Sequence, residues 1–146
     1  YFLFAFAEEY GWRRFLLPHL LTTFSPLAAS TILGTIWALW HIIDYLRLPL
    51  PLWTGLFTTM LLISIAQSII YTYLFLHSHN RLWPIALAHA ASNTGAAIVT
   101  LDPYNPELAI IDLFIRGLTA VLFLLLAYLY TNSLPISAQS VTIQKN

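Results

Sequence analysis

The chain has 146 residues, of which 59% are hydrophobic and 8% are charged, and its formal net charge is zero. Soluble domains carry about 25% charged residues, so this composition indicates an integral membrane protein, and the zero net charge gives no electrostatic basis for binding nucleic acid. The absence of cysteine excludes disulfides, thiolate catalysis and cysteine-ligated zinc.

Five segments are apolar and have about the 20 residues that a membrane-spanning helix needs. They run over about 1–21, 27–46, 52–76, 82–101 and 107–130. Turn-forming residues separate them, namely Ser25-Pro26, Pro49-Leu50-Pro51, Ser78-His79-Asn80-Arg81 and Asp102-Pro103-Tyr104-Asn105-Pro106. We therefore predict an all-α fold, a polytopic helical transmembrane bundle of about five spans.

The domain organisation is predicted to be one core domain over residues 1–131, followed by a polar C-terminal tail over residues 132–146. The chain begins Tyr1-Phe2-Leu3, with no initiator methionine and without the basic region and small-residue cleavage site of a signal peptide. This start favours a fragment of a longer membrane protein.

The distribution of charge predicts an orientation in the membrane. Alternating spans place the connections at Ser25 and Asn80 on one side, near Arg13, Arg14 and Arg81. Most acidic residues fall towards the other side. The positive-inside rule therefore predicts that the first side is cytoplasmic.

Two adjacent carboxylates, Glu8 and Glu9, lie in the first apolar segment, where a charged group is costly and usually functional. Glu9 and Arg13 are four residues apart and can pair on one face of a helix, which leaves Glu8 free. A partly desolvated carboxylate suits a general base. The alternative is that both acids only pair with Arg13 and Arg14 at the membrane interface.

Further polar side chains lie in two other apolar segments. Trp37 and His41 share a helix face, so the indole can pack over the imidazole, although a lone histidine among tryptophans is also typical of simple packing. His89 and Asn93 point the same way from one helix. They could bind a water, a metal or an oxyanion, or form an interhelical hydrogen bond for packing.

Polar groups in hydrocarbon seek one another, so we expect these side chains to converge with Glu8. Counted from the predicted helix starts, however, His41 lies about 21 Å and His89 about 10 Å from the first side. Convergence therefore requires offset or tilted helices, or a fourth span that starts inside the membrane.

Other polar residues have simpler interpretations. His19 and the His77-Ser78-His79 stretch are predicted to be interfacial, and Asp112 with Arg116 is predicted to be a structural pair. The sequence contains neither the His-Glu-x-x-His zinc motif nor a Gly-x-Ser-x-Gly element. Serine-nucleophile chemistry therefore has no support.

Three of these stretches together resemble the CAAX-protease and bacteriocin-processing family of intramembrane proteases, often called the Abi family. Its Glu-Glu-x-x-x-Arg motif is matched by Glu8-Glu9-Tyr10-Gly11-Trp12-Arg13, and its His-x-x-x-Asn motif by His89-Ala90-Ala91-Ser92-Asn93. Its Phe-x-x-x-His motif is matched by Trp37-Ala38-Leu39-Trp40-His41, with Trp in place of Phe. The resemblance covers roughly residues 7–95, and Arg14 stands where many members have glycine.

The resemblance implies an intramembrane endopeptidase, multi-pass in a bacterial-type plasma membrane, that hydrolyses prenylated CAAX-like or bacteriocin-type peptides. Its partners would be membrane lipids and a membrane-associated peptide or protein substrate, and no nucleic acid. The implied catalytic residues, which activate and position water and stabilise the oxyanion, are Glu8, His41, His89 and Asn93. The implied supporting residues are Glu9, Arg13 and Trp37.

Metal dependence is left open by these residues. A zinc ion could be bound by Glu8, His41 and His89, and activation of water without a metal is slightly preferred. Two other functions remain. One is a non-catalytic membrane immunity or scaffold protein with the same fold. The other is a small transporter or channel component with a proton relay, which would need a water path across the whole membrane.

Overall fold

A computed structural model describes residues 1–99 and 105–133, and this part of the chain consists of helices and turns without any strand. The elements are α1 (Phe2–Glu9), a π-helical segment (Tyr10–Leu16), α2 (Leu17–Leu21), α3 (Pro26–Trp40), a 3-10 turn (Ile42–Asp44), α4 (Leu50–His77), α5 (Trp83–Val99) and α6 (Pro106–Ser133). The first three follow one another without a break and are called the first helix below.

The all-α prediction is confirmed, and the five helical segments lie where the apolar pattern placed them. Helix α6 continues two residues past the predicted domain boundary at residue 131. The rest of the predicted polar tail, the end of the fourth predicted span at residues 100–101 and the turn residues 102–104 lie outside the described residues.

Local capping explains where the helices begin and end. The Ser25 side chain accepts a hydrogen bond from the backbone N–H three residues later, at the start of α3. The side chain of Asn105 does the same for α6, accepting from the N–H groups two and three residues later. Helix α4 ends before His79 and Asn80, which adopt φ values of 56° and 60°. Asparagine and histidine tolerate this left-handed conformation better than most residues do, so the turn forms there.

The first helix contains an irregularity that the sequence analysis did not predict. Residues Tyr10–Leu16 are π-helical. Pro18, in the first turn of α2, has no N–H to offer to the carbonyls of the preceding turn. The π-helical segment therefore lies where the regular α-helical hydrogen bonds are already interrupted. It leaves Arg13 buried and Arg14 exposed, and π-helical turns of this kind occur frequently at functional sites.

Helix α4 is the central element, because it packs against α3 and α6 and also contacts α5, while α1 packs against α5. One buried apolar cluster joins the first helix, α3, α4 and α5, and it includes Leu17, Leu33, Trp37, Tyr71, Phe75 and Ile85. A smaller cluster joins α4 to α6 and consists of Ala66, Ile69, Tyr73 and Ala127. Burial of these side chains holds the helices in the arrangement that forms the site.

Helices α3 and α4 approach each other closely at Gly34. A Cβ atom at this position would lie 2.6 Å from the Cα atom of Ile65 and 2.8 Å from the carbonyl oxygen of Ser64. No side chain fits there. Small residues commonly allow such close packing between membrane helices.

Three helical stretches in the described part of the chain are long and apolar enough to cross a membrane, namely Pro26–Asp44, Leu50–His77 and Glu107–Asn132. The last of these exposes many large apolar side chains, among them Phe114, Leu118, Leu122 and Leu125, as a helix in contact with lipid does. The first helix carries four charged residues and α5 has 17 residues. These two helices supply Glu8, His89, Ser92 and Asn93 to the site.

Candidate active site

A cavity of about 490 Å³ lies between the first helix, α3, α4, α5 and α6. The four side chains predicted to converge all line it, namely Glu8, His41, His89 and Asn93. Trp37 lines the same cavity. The structure therefore brings together residues that are far apart in sequence, in a space large enough for part of a peptide or a lipid chain.

Glu9 is fully buried and bonds to two other buried side chains. The Nη1 atom of Arg13 lies 3.0 Å from Oε1 and 2.8 Å from Oε2 of Glu9, so the predicted i, i+4 pair is present. The Nδ1 atom of His89 lies 2.8 Å from Oε1. Because a carboxylate can only accept, Nδ1 carries the proton, and in the neutral ring Nε2 is left as an acceptor. The sequence analysis did not predict this second bond.

Arg13 makes its other contacts with aromatic rings. Its guanidinium carbon lies 5.5 Å from the ring centre of Trp37 and 5.3 Å from that of Tyr71. Its Nε and Nη2 atoms have no hydrogen-bond partner among the described residues. The negative faces of the two rings compensate part of the buried positive charge. Arg13 thus ties the first helix to α3 and α4.

Glu8 has a different environment from its neighbour. It is partly exposed in the cavity, and its Oε2 atom accepts a hydrogen bond of 3.2 Å from Nε1 of Trp37. The indole of Trp37 was predicted to pack over His41, but it packs against other rings. It contacts the rings of His89 and Tyr71, at 4.9 Å and 6.4 Å between centroids. Helix α3 ends at Trp40 and His41 enters a 3-10 turn, so the two side chains no longer follow one helical face.

His41 is much less buried than His89, which is 1% exposed. The side chain of His41 is 30% exposed, and its Nδ1 atom lies 3.3 Å from Oδ2 of Asp44, which is itself 66% exposed. This contact is solvated and geometrically weak, unlike the contact between His89 and Glu9. His41 is therefore held much more loosely than His89.

An offset between α3 and α5 accounts for part of the difference in depth between His41 and His89 that was counted from the predicted helix starts. Trp37 follows the start of α3 by eleven residues, and His89 follows the start of α5 by six. The rings of Trp37 and His89 are in contact. At 1.5 Å per residue, the start of α3 is therefore about 7 Å farther from this contact than the start of α5 is. Offset helices were one of the arrangements that convergence required.

Two parts of the cavity wall were not recognised as such from the sequence. Gln67 of α4 donates a hydrogen bond to the hydroxyl of Ser92 on α5, and both line the cavity. The signal for Gln67 was present, since it is the one side-chain amide in the third apolar segment. Asp112 and Arg116 do form the predicted pair, with 2.8 Å from Nε to Oδ2, but both also face the cavity.

The residues proposed as metal ligands do not form a ligand set. Within residues 1–99 and 105–133, no group of three or more His, Asp or Glu side chains could hold a metal ion. Glu8, His41 and His89 line one cavity.

A comparison with protein families gives a match over the larger part of the chain. The sequence model of the family described as type II CAAX prenyl endopeptidase Rce1-like matches residues 1–95. No curated protein and no solved structure matches the chain. The matched region contains all four candidate catalytic residues, and it ends before α6, which contributes Asp112 and Arg116 to the cavity.

Proposed function

Because the chain belongs to the Rce1-like type II CAAX prenyl endopeptidase family, a family of membrane proteases, we propose that it is an intramembrane endopeptidase that uses a water molecule activated by Glu8. One observation carries the proposal. The Glu8 carboxylate, oriented by the indole N–H of Trp37, lines the same cavity as His89 and Asn93.

In the proposed reaction, Glu8 takes a proton from water as the water oxygen bonds to the carbonyl carbon of the substrate. The carbonyl oxygen becomes an oxyanion, which the side-chain amide of Asn93 stabilises by donating a hydrogen bond. Glu8 then returns the proton to the amide nitrogen, the C–N bond breaks, and a carboxylic acid and an amine leave.

The two histidines differ in their proposed roles. His89 is fixed by its bond to Glu9, so its Nε2 atom is a preorganised acceptor for the attacking water. The polar contact of His41 with Asp44 is solvated, so His41 orients water or substrate at the more open part of the cavity. Glu9 and Arg13 act through His89 and are positioning residues.

The family name points to a peptide with a prenylated C-terminus as substrate, and the resemblance adds bacteriocin-type peptides as the alternative. Apolar side chains on α4 and α6 support a lipidated or membrane-embedded substrate, since Met60, Ile63, Ile115 and Phe123 line the cavity. We further propose that the chain crosses the membrane several times, in a bacterial-type plasma membrane, as the resemblance implies.

The test compares Glu8→Gln with Glu107→Gln in protein purified into nanodiscs. Both variants remove one carboxylate with almost no change in volume, but Glu107 is exposed at the start of α6 and does not line the cavity. Cleavage is followed with an internally quenched prenylated peptide and its unprenylated counterpart. Loss of a general base lowers the rate by about 10²- to 10⁴-fold, so Glu8→Gln loses cleavage while Glu107→Gln keeps it, and both unfold at the wild-type temperature.

Other outcomes would overturn the proposal. Cleavage by Glu8→Gln at the wild-type rate contradicts the role of the carboxylate. The wild-type protein could also confer immunity in cells while cleaving neither prenylated peptides nor bacteriocin-type leaders. That result would support the alternative, a non-catalytic immunity or scaffold protein. Among the described residues, no three His, Asp or Glu side chains form a metal site. We therefore expect dialysis against EDTA to change the cleavage rate less than about twofold. A loss of cleavage that added zinc restores would require a metal site.

A further inference from the structure

A second cavity, of about 370 Å³, lies on the surface between the first helix and the turn that joins α4 to α5. It is separate from the cavity described above, with which it shares no lining residue. Its wall consists of Phe6, Arg14, Asn80, Arg81, Leu82 and Trp83. Two arginines that are 67 positions apart in sequence are thus brought to one pocket.

The positive charge of this pocket is not neutralised within the described part of the chain. Neither Arg14 nor Arg81 forms an ion pair there, whereas Arg13 and Arg116 are each paired with a carboxylate. The described acidic residues line the first cavity or lie in other parts of the fold, and none of them borders this pocket. Two guanidinium groups with free donors and no counter-charge favour a bound anion, and phosphate fits their forked geometry.

The position of the pocket indicates the source of the phosphate. Asn80 and Arg81 directly follow α4, which ends at His77 and has 28 residues. A helix of that length spans about 42 Å, close to the thickness of a bilayer with its headgroups. The turn after α4 therefore lies at the level of the lipid headgroups. The exposed indole of Trp83 is typical of this level.

We propose that this pocket binds the phosphate of an anionic phospholipid, with Arg14 and Arg81 as its donors. Phe6 and Trp83, which line the same pocket and are partly exposed, contact the apolar part of the lipid. The bound lipid joins the first helix to the start of α5. These two elements also carry Glu9 and His89, so the lipid stabilises the packing on which their bond depends. The proposal is independent of the proposed protease activity.

The test measures thermal unfolding in detergent micelles with added phosphatidylglycerol, phosphatidylcholine or inorganic phosphate. A ligand present at about 100 times its Kd raises the unfolding temperature of a chain of this size by about 5–10 °C. We expect that shift with phosphatidylglycerol for the wild-type protein and for Arg47→Gln. Arg47 is the matched control, since it is an exposed arginine outside the pocket. Arg14→Gln and Arg81→Gln lose most of the shift, and Arg14→Lys keeps part of it.

Native mass spectrometry gives a second readout that does not depend on stability. The wild-type protein and Arg47→Gln retain one phosphatidylglycerol per chain, and Arg14→Gln and Arg81→Gln retain none. Equal shifts in all variants would mean a non-specific lipid effect and would overturn the proposal. A shift with inorganic phosphate but not with phosphatidylglycerol would also overturn it, because the pocket would then bind free phosphate.

Discussion

The Nδ1 atom of His89 lies 2.8 Å from the Oε1 atom of Glu9, although 80 positions separate the two residues. Both side chains are buried, and Arg13 donates to the same carboxylate. In a low-dielectric site, removing one member of such a group leaves the others unpaired and costs much more than the group contributes when intact. The three side chains therefore act as one structural unit behind the candidate catalytic residues.

The first prediction concerns Glu9→Gln, which leaves Arg13 buried without a counter-charge. We expect the free energy of unfolding to fall by about 3–5 kcal/mol, measured by denaturant titration in mixed micelles. The double variant Glu9→Gln with Arg13→Met removes both charges and recovers most of that loss. Its glutamine carbonyl can still accept from Nδ1 of His89.

A single Glu9→Gln variant as stable as the wild-type protein would show that Arg13 is not confined to a buried pair. A double variant no more stable than the single one would show that the carboxylate matters chiefly through His89.

The second prediction concerns Trp37→Phe, which keeps an aromatic ring but removes the N–H that donates to Glu8. A hydrogen bond to a charged group contributes about 1.5–3 kcal/mol, so kcat falls about tenfold or more, while KM stays near the wild-type value. The motif of the Abi family normally has phenylalanine at this position. Orientation of Glu8 by an indole is therefore a feature of this chain.

Trp53→Phe is the control for that measurement, because Trp53 packs against Phe57 on α4 and does not line the cavity. Equal activity of Trp37→Phe and Trp53→Phe would mean that another group orients the Glu8 carboxylate.

Local rules predicted much of this site. The pairing of Glu9 with Arg13 follows from a separation of four residues on one helix, and the shared face of His89 and Asn93 follows from the same period. The helical segments follow from runs of apolar residues between turn-forming residues. Each of these inferences needs only neighbours in the sequence.

The features that were missed depend on how distant segments pack. The bond between Glu9 and His89 and the contact of Trp37 with His89 require the offset of α3 against α5, which no local pattern encodes. The π-helical segment from Tyr10 to Leu16 is one of several ways in which a helix can accommodate Pro18. The sequence therefore predicted that Glu8, His41, His89 and Asn93 converge on one cavity, but not which side chains contact one another across the helices.

The third prediction concerns Gly34→Ala. The added Cβ would lie 2.6 Å from a backbone atom of α4, and a backbone atom cannot move aside as the end of a flexible side chain can. Such overpacking costs about 1–3 kcal/mol, so the unfolding temperature falls. Activity falls as well, because α3 carries both Trp37 and His41. Gly117→Ala is the control, since nothing lies within 4 Å of its added Cβ, and a similar loss in both variants would contradict a specific contact between α3 and α4.

The fourth prediction separates the two histidines by their carboxylate partners. The contact of His41 with Asp44 is long and largely solvated, and exposed pairs contribute at most about 1 kcal/mol. A change of about 1 kcal/mol in the barrier corresponds to about a fivefold change in rate. Asp44→Asn therefore lowers kcat less than about fivefold. His41→Gln removes the ring that orients water or substrate, and because a misplaced reactant can cost about 10²-fold in rate, kcat falls by about that factor.

Steady-state kinetics with the prenylated peptide measures both variants, and the free energy of unfolding is measured in parallel to confirm that each is folded. If Asp44→Asn loses as much activity as His41→Gln, the two residues act as a coupled pair in spite of their exposure. The expected outcome, a mild effect for Asp44 and a severe one for His41, means that the imidazole of His41 acts without being fixed by its carboxylate partner, unlike His89, which is fixed by its buried bond to Glu9.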